Sequence, residues 1–269
     1  MINKDTKLCM SLSGRPGNFG TRFHNSLYQQ LGLNFIYKAF STDSIEDAIK
    51  GIRALRIRGC AISMPFKEAC IPFLDKLTDS VLAIDSVNTI VNDDGYLTAY
   101  NTDYIAIRKL IEQYQLNPAQ SVIIHGSGGM AKAVIAAFYD AGFRHVTILA
   151  RNQVSAKKLA DKYHFNATTQ PSLSYDILVN ATPVGMAGGE DANQRSFSVD
   201  LIAKSSIVFE VIAMPVNTPL ILEAKKQHIK TITGREVMIL QAVEQFILYT
   251  GQTPTEAQID IAAQFASQE

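Results

Sequence analysis

The sequence has no surplus of charge of either sign: 25 Lys and Arg stand against 25 Asp and Glu over 269 residues. A balanced chain supplies no basic field for a nucleic-acid backbone and no polycationic face for an acidic membrane. Cysteine is scarce. Cys9, Cys60 and Cys70 are odd in number and lack metal-ligand spacing, which argues against a disulfide framework and for a reducing cytosol. No apolar run approaches the roughly twenty residues that span a bilayer. The opening MINKDTKLCMSLSG carries charges and no long apolar run, unlike a signal peptide. Repeats, low-complexity tracts and nucleic-acid motifs are absent too. These absences describe a cytoplasmic protein that holds no metal, crosses no membrane and binds no nucleic acid. Its length allows a sizeable core and two domains.

What is present centres on Ser121–Arg151. Ser121-Val122-Ile123-Ile124 reads as a buried parallel strand. Gly126-Ser127-Gly128-Gly129-Met130-Ala131 follows it and fits G-x-G-x-x-G/A. A helix is expected over Ala131–Ala141 and a second strand over Val146–Leu149. In that frame Gly126 permits the tight bend, Gly128 the close approach of a pyrophosphate, and small Ala131 the packing of helix on sheet. Phosphates would sit at the helix N-terminus. An NAD site usually ends its second strand in an acid that holds the ribose hydroxyls. Here Ala150-Arg151 ends it, and arginine pairs with a 2′-phosphate, so NADP is the expected cofactor.

The first hundred residues alternate strand and helix, which implies an α/β domain with a mostly parallel sheet. Strands are expected at Lys7–Ser13, Asn34–Phe40 and Cys60–Met64, helices at Phe23–Leu31 and Ile45–Leu55, and a loop over Gly14–Gly20. Pro65 suits the first turn of a helix continuing to about Leu77. Lys67 then lies where the helix dipole disfavours a cation, a setting that suits an amine trading protons; a solvated lysine is the plainer reading. Two β-rich runs flank Asp93-Asp94-Gly95 and predict a hairpin, which brings Asn88 near Asn101 and Asp103. Thr102 or Asp103 also suits the cap of a helix over Tyr104–Tyr114. Further on, a helix is expected over Ser155–Tyr163, strands near Asp176–Asn180 and Ile207–Val211, and a helix over Val237–Tyr249.

Taken in order, MPFKE (64–68), SVNT (86–89), NTD (101–103), the glycine turn, NATPVGM (180–186) and GREVMILQA (234–242) resemble the shikimate dehydrogenase family over most of the chain. The resemblance implies an N-terminal α/β substrate domain, residues 1–103 completed by C-terminal helices in 237–269. It also implies a Rossmann-type NADP-binding domain over 104–236, with the active site in a cleft between the two. It implies reversible reduction of 3-dehydroshikimate to shikimate with NADPH, and Lys67 with Asp103 as the catalytic pair. Which of the two carries the proton is not decided by sequence, because a close Lys–Asp pair titrates as a unit. Asn88 and Gln241 are implied to hold substrate, with Ser63 in place of a family threonine. Thr182, Pro183 and Met186 are implied around the nicotinamide, and Gly234 in the cofactor site. Monomers and homodimers both occur in the family.

The departures resemble the family's divergent "shikimate dehydrogenase-like" subgroup. Asn18 and Gly20 stand where two serines usually grip the substrate carboxylate. Asn18 and Thr21 are candidates to replace those hydrogen bonds, and Arg15 or Arg22 to replace charge. Ala61, Ala213 and Ser155 replace a usual asparagine, tyrosine and second basic residue, though Lys157 and Lys158 are close to the last. Losing a hydroxyl donor to a carboxylate costs roughly 1–3 kcal/mol if the charge is left unpaired. Quinate or another polyol is therefore an alternative substrate, and a nucleotide- or shikimate-sensing paralogue an alternative role. The retained Lys67 and Asp103 argue for turnover, because a sensor has no need of a proton shuttle.

Overall fold

The alternating pattern of short β-branched runs and helical stretches produces two separate six-stranded sheets. The computed structural model describes residues 2–172 and 174–268. It divides into one unit of Met1–Thr102 with Ile239–Glu269 and another of Asp103–Met238.

In the first unit the chain runs β1 (Lys7–Leu12), α1 (Phe19–Gln30), β2 (Phe35–Phe40), α2 (Ile45–Ala54), β3 (Gly59–Ile62), α3 (Phe66–Ala69), β4 (Lys76–Leu77), α4 (Asp79–Leu82), β5 (Thr89–Asp93) and β6 (Tyr96–Tyr100). The sheet order is β2-β1-β3-β5-β6-β4. β1 pairs parallel with β2 and β3, whereas β5 is antiparallel to β3 and β6. The β5–β6 hairpin turns at Asp94 (φ 51°) and Gly95 (φ 94°), the double left-handed pair that matches the twist of two-residue hairpins. Apolar cores cover both faces. On one face Cys9, Phe23, Tyr28 and Tyr37 pack with Phe246 and Tyr249, and on the other Leu12, Ile62 and Ile90 pack with Ile49 and Ile52 of α2. Gly59 is required here, because a Cβ would stand 2.2 Å from the Tyr249 ring.

The second unit continues with α5 (Thr102–Gln113), β7 (Val122–His125), α6 (Gly129–Asp140), β8 (Val146–Leu149), α7 (Gln153–Tyr163), β9 (Asn166–Thr168), β10 (Ile177–Asn180), α8 (Val199–Ala203), β11 (Ile207–Glu210), α9 (Pro219–Lys226) and β12 (Lys230–Ile232). α10 (Gly234–Thr250) and α11 (Glu256–Ser267) end the chain. All pairings in this sheet are parallel, in the order β9-β8-β7-β10-β11-β12. Counted from β7, that is the doubly wound order 3-2-1-4-5-6.

Two expectations fail locally. α1 begins at Phe19, so the loop expected over Gly14–Gly20 is cut short and Thr21 lies in the first helical turn. The helix expected from Pro65 to Leu77 is one turn, Phe66–Ala69, followed by a 3₁₀ turn at Ile71–Phe73 and strand β4. Pro72 ends it, since proline inside a helix removes a donor and clashes with the preceding turn. α9 was readable but not anticipated, and α11 was expected only as one of the C-terminal helices in 237–269, without bounds. Thr218-Pro219 is an N-cap followed by an N1 proline, and Thr255 with Gln258 forms a capping box.

Candidate functional site

In the second unit the glycine turn has the predicted local geometry. β7 ends at His125 and the chain turns at Gly126 with φ 134°, where a Cβ would meet the Ala181 carbonyl oxygen at 2.6 Å. Only glycine fits. Ala131 is fully buried and its methyl lies 3.3 Å from that same Cβ position, so a larger residue would lift α6 off the sheet. Gly128 caps α6, and open space stands where Cβ atoms of Gly128 and Gly129 would be. Backbone can therefore approach a ligand closely at a helix N-terminus, where the first N–H groups lack intrahelical partners. Ser127 and Met130 are half-buried in the same turn.

Arg151 is exposed just beyond β8 and lines a pocket of about 580 Å³ with His125, Leu149, Ala150 and Ser196. Burial and the nearby Arg151 charge lower the His125 pKa, so a neutral imidazole faces that region. Ser155 sits in the first turn of α7, and its N–H donates to Asn152 Oδ1 at 3.1 Å, which makes the segment a cap. Beyond β10, Asn180 Oδ1 accepts from Thr182 N (3.1 Å) and Thr182 Oγ1 (2.7 Å), holding the loop that presents exposed Pro183 and Met186. Gly234 starts α10, and a Cβ there would overlap the Ile212 carbonyl at 2.2 Å. Close packing therefore requires that glycine independently of any ligand.

In the first unit, backbone bonds gather the other candidates at one edge of the sheet. Gly14 N–H donates to Met64 O (2.9 Å), Ser63 N–H to Leu12 O (2.9 Å), Ile62 N–H to Asn88 O (2.8 Å) and Val87 N–H to Lys67 O (2.8 Å). Ser63, Lys67 and Asn88 thus meet beyond the C-terminal ends of β1 and β3. Ser63 is exposed, Lys67 half-buried and Asn88 buried. Asn88 Oδ1 accepts from Thr102 N (2.7 Å) and Thr89 Oγ1 (2.9 Å), which fixes the amide's orientation. Its Nδ2 is buried without a protein acceptor. Gln241 Oε1 lies 3.4 Å from Thr102 Oγ1, and Gln245 Nε2 donates to Thr89 Oγ1 at 3.1 Å. Thr89, Thr102 and Gln245 were not anticipated as supports. The signal existed for Gln245, one turn beyond Gln241 on the same helix face.

Asn18 is exposed immediately before α1 and makes no side-chain cap, while Thr21 is half-buried in the first turn. Of the two arginines considered as replacement charges, Arg22 is occupied. Its guanidinium lies over the Phe265 ring at 4.7 Å and donates to Gln268 O. Arg15 is exposed. The dipole argument for Lys67 lapses, because the four-residue α3 aligns too few peptides to act as a charged helix end. Asp103 is the second residue of the 12-residue α5 and is 7% exposed. A carboxylate is favoured at that position.

Among the described residues no group of three His, Cys, Asp or Glu is placed to hold a metal ion, and no helix is long and apolar enough to cross a membrane. The cysteines are buried and unpaired, and burial pushes the Cys9 and Cys70 thiols up to about 12, which leaves them inert as nucleophiles.

A doubly wound parallel sheet with a glycine turn after its first strand defines a Rossmann-type domain, here joined to a second α/β unit. Comparison with known proteins makes the assignment specific. Residues 19–90 match the shikimate dehydrogenase substrate binding domain, and residues 108–184 match shikimate / quinate 5-dehydrogenase. A shikimate dehydrogenase-like protein of Haemophilus influenzae is 59% identical over 99% of this chain and 98% of its own. The shikimate dehydrogenase (NADP(+)) of Pyrococcus furiosus is 33% identical over 94% of this chain and 93% of its own. The Thermus thermophilus shikimate 5-dehydrogenase, solved in complex with NADP(H) and shikimate, superposes with a TM-score of 0.86 at 26% identity, covering 96% of this chain and 99% of that one. The chain belongs to the shikimate dehydrogenase family.

Proposed function

We propose that the protein is an NADP-dependent oxidoreductase that interconverts 3-dehydroshikimate and shikimate, or a close analogue. Asn88 carries this reading. Its carbonyl is committed to the α5 backbone, so its uncommitted amide is a donor held at the same sheet edge as Lys67. A donor fixed in that way suits a ring hydroxyl and has no evident structural task. NADP supplies a hydride acceptor when bound, and the glycine turn with Arg151 has the shape and charge for its pyrophosphate and 2′-phosphate.

In this reading, oxidation of the alcohol removes a hydride from carbon and a proton from oxygen. Lys67 and Asp103 are the residues that take up and orient that proton. Ser63, Asn88 and Gln241 bind the ring, and Asn18, Thr21 and Arg15 stand in for the usual carboxylate contacts. Gly126–Ala131, Arg151, Thr182, Pro183, Met186 and Gly234 form the NADP site. The partner is a small hydroxy acid rather than nucleic acid, in agreement with the balanced charge. Buried free thiols suit a cytoplasmic protein.

The test is reduction of NADP and of NAD by the purified protein with shikimate and then quinate, with Lys67→Ala as control. Turnover with shikimate and NADP that falls at least roughly 100-fold in the mutant is expected for loss of an acid/base group. A specific observation favours a second reading of substrate: the segment Asn18–Gly20, at the start of α1, lacks both serine hydroxyls. Turnover with quinate alone, or with neither acid despite tight NADPH binding, would select another polyol or a sensing role.

A further inference from the structure

Glu210, the last residue of β11, is fully buried, yet the hydrogen bonds it receives come from neutral groups. Asn180 Nδ2 donates to Oε1 at 2.9 Å and Oε2 at 3.1 Å. Ile212 N–H donates to Oε1 at 3.1 Å, and Thr218 Oγ1 to Oε2 at 2.9 Å. Burial raises its pKa to about 7, opposed by these donors. A carboxylate without a bonded counter-charge is expensive in such a place, and packing alone would be served better by an apolar side chain.

The bonds lead directly to the loops at the C-terminal edge of this sheet. With Nδ2 of Asn180 facing the carboxylate and Val184 O (3.1 Å), Oδ1 faces Thr182 and receives both its N–H and its hydroxyl. Thr182 Oγ1 in turn accepts from Val184 N–H at 3.1 Å. The opposite amide orientation would set an oxygen against the carboxylate and strip the Thr182 N–H of its acceptor. Ionised Glu210 therefore selects one of two amide orientations, and that orientation shapes residues 180–184. The Ile212 bond holds the next loop, where Met214 O accepts from Ala187 N–H at 3.2 Å and the Ile212 carbonyl abuts Gly234. Thr218 meanwhile caps α9.

We propose that Glu210 is a positioning residue for the nicotinamide half of the dinucleotide, acting through Asn180 on the Thr182–Val184 loop. This rests on the NADP site proposed above, with Thr182, Pro183 and Met186 on the nicotinamide side and Arg151 on the adenosine side. The network predicts that affinity for the two halves of the cofactor separates when Glu210 is changed. A glutamine at this position keeps the size but presents one acceptor oxygen and an NH₂ that opposes the donors. An aspartate keeps the charge and draws it back by one methylene.

The experiment is calorimetric titration of the full chain with NADPH and, separately, with adenosine 2′,5′-bisphosphate, using wild type, Glu210→Gln and Glu210→Asp. Wild type is expected to bind both ligands. Glu210→Gln is expected to bind NADPH roughly 10- to 100-fold more weakly, the equivalent of one or two lost hydrogen bonds in a displaced loop. Its affinity for the bisphosphate should stay within about twofold, as for a distant, independent site. Glu210→Asp should show the same split with a smaller loss, and it decides the matter if the glutamine variant does not fold. Unchanged NADPH affinity in a folded variant overturns the proposal, and so does a parallel loss of both ligands, the mark of a merely structural residue. Failure of wild type to bind either ligand overturns the NADP site itself, a result distinct from either of those.

Discussion

Gly126, Arg151 and His24 show how differently single residues declare themselves. Gly126 could be read directly from sequence, because a turn with φ 134° beside a carbonyl at 2.6 Å excludes any Cβ. Gly126→Ala should lose roughly 1–3 kcal/mol of stability by urea denaturation, from backbone strain together with the clash. Arg151→Ala should raise KM for NADP about tenfold or more and leave KM for NAD nearly unchanged; equal effects on both would remove the 2′-phosphate role. His24 gave no warning of its burial. It is 0% exposed, stacked 4.4 Å from Tyr37 and edged by Phe23, and burial pushes its pKa down to about 3. A histidine held neutral in the folded state stabilises fully above its unfolded value near 6.5, and that stability is lost as pH falls toward 3. Between pH 6.5 and 4.5 the loss should be roughly 2 kcal/mol, the slope rising toward about 1.4 kcal/mol per pH unit below 6.5. In matched urea titrations across that window, folded His24→Phe should have a visibly flatter acid limb. Glu210 has the opposite sign, since its raised value makes the folded state gain stability as pH falls through 7, so only the difference between variant and wild type isolates His24.

At the scale of elements, local signals worked where they did not depend on distant packing. The helix expected over Ile45–Leu55 does begin at Ile45, and the Oγ of Ser44 just before it accepts from Asp47 N–H at 3.2 Å. Ser44→Ala should cost about 1 kcal/mol in thermal or urea denaturation with activity unchanged. The hairpin at Asp94-Gly95 and the unit β7–α6–β8 were likewise legible, because two-residue turns and buried parallel strands leave strong marks in sequence. Boundaries set by tertiary contacts were not. Pro72 breaks the Pro65–Leu77 stretch into a turn, a 3₁₀ segment and β4, a strand of two residues that exists only because β6 offers it a partner. α1 gains its extra N-terminal turn where Phe19 stacks on Phe23 at 5.6 Å.

For the whole molecule, ligand binding and stability are linked by mass action. If the glycine turn and Arg151 hold NADP, then NADPH at one hundred times its Kd should stabilise the folded chain by about 2.7 kcal/mol. For a chain of this size that is a rise in thermal midpoint of roughly 5–10 °C. A midpoint that does not move at saturating NADPH would contradict the cofactor assignment whatever the substrate. The substrate is a separate question, because the contacts proposed for it (Asn18, Thr21 and Arg15, in and before the first turn of α1) lie apart in sequence from the dinucleotide turn.

The sequence by itself determined the α/β class, the glycine turn and the family, and it singled out Lys67, Asn88, Asp103 and Gln241. These follow from interactions within a few residues, or from motifs whose order and spacing survive in the chain. Only the tertiary structure decided that Arg22 is spent on α11, that Gly59 and Gly234 are glycines for reasons of packing, and that Glu210 orients Asn180. Each of those depends on two segments far apart in sequence being brought within a few ångströms. Hydrogen bonding and steric exclusion act at that distance, and neither leaves a periodic trace in a linear sequence.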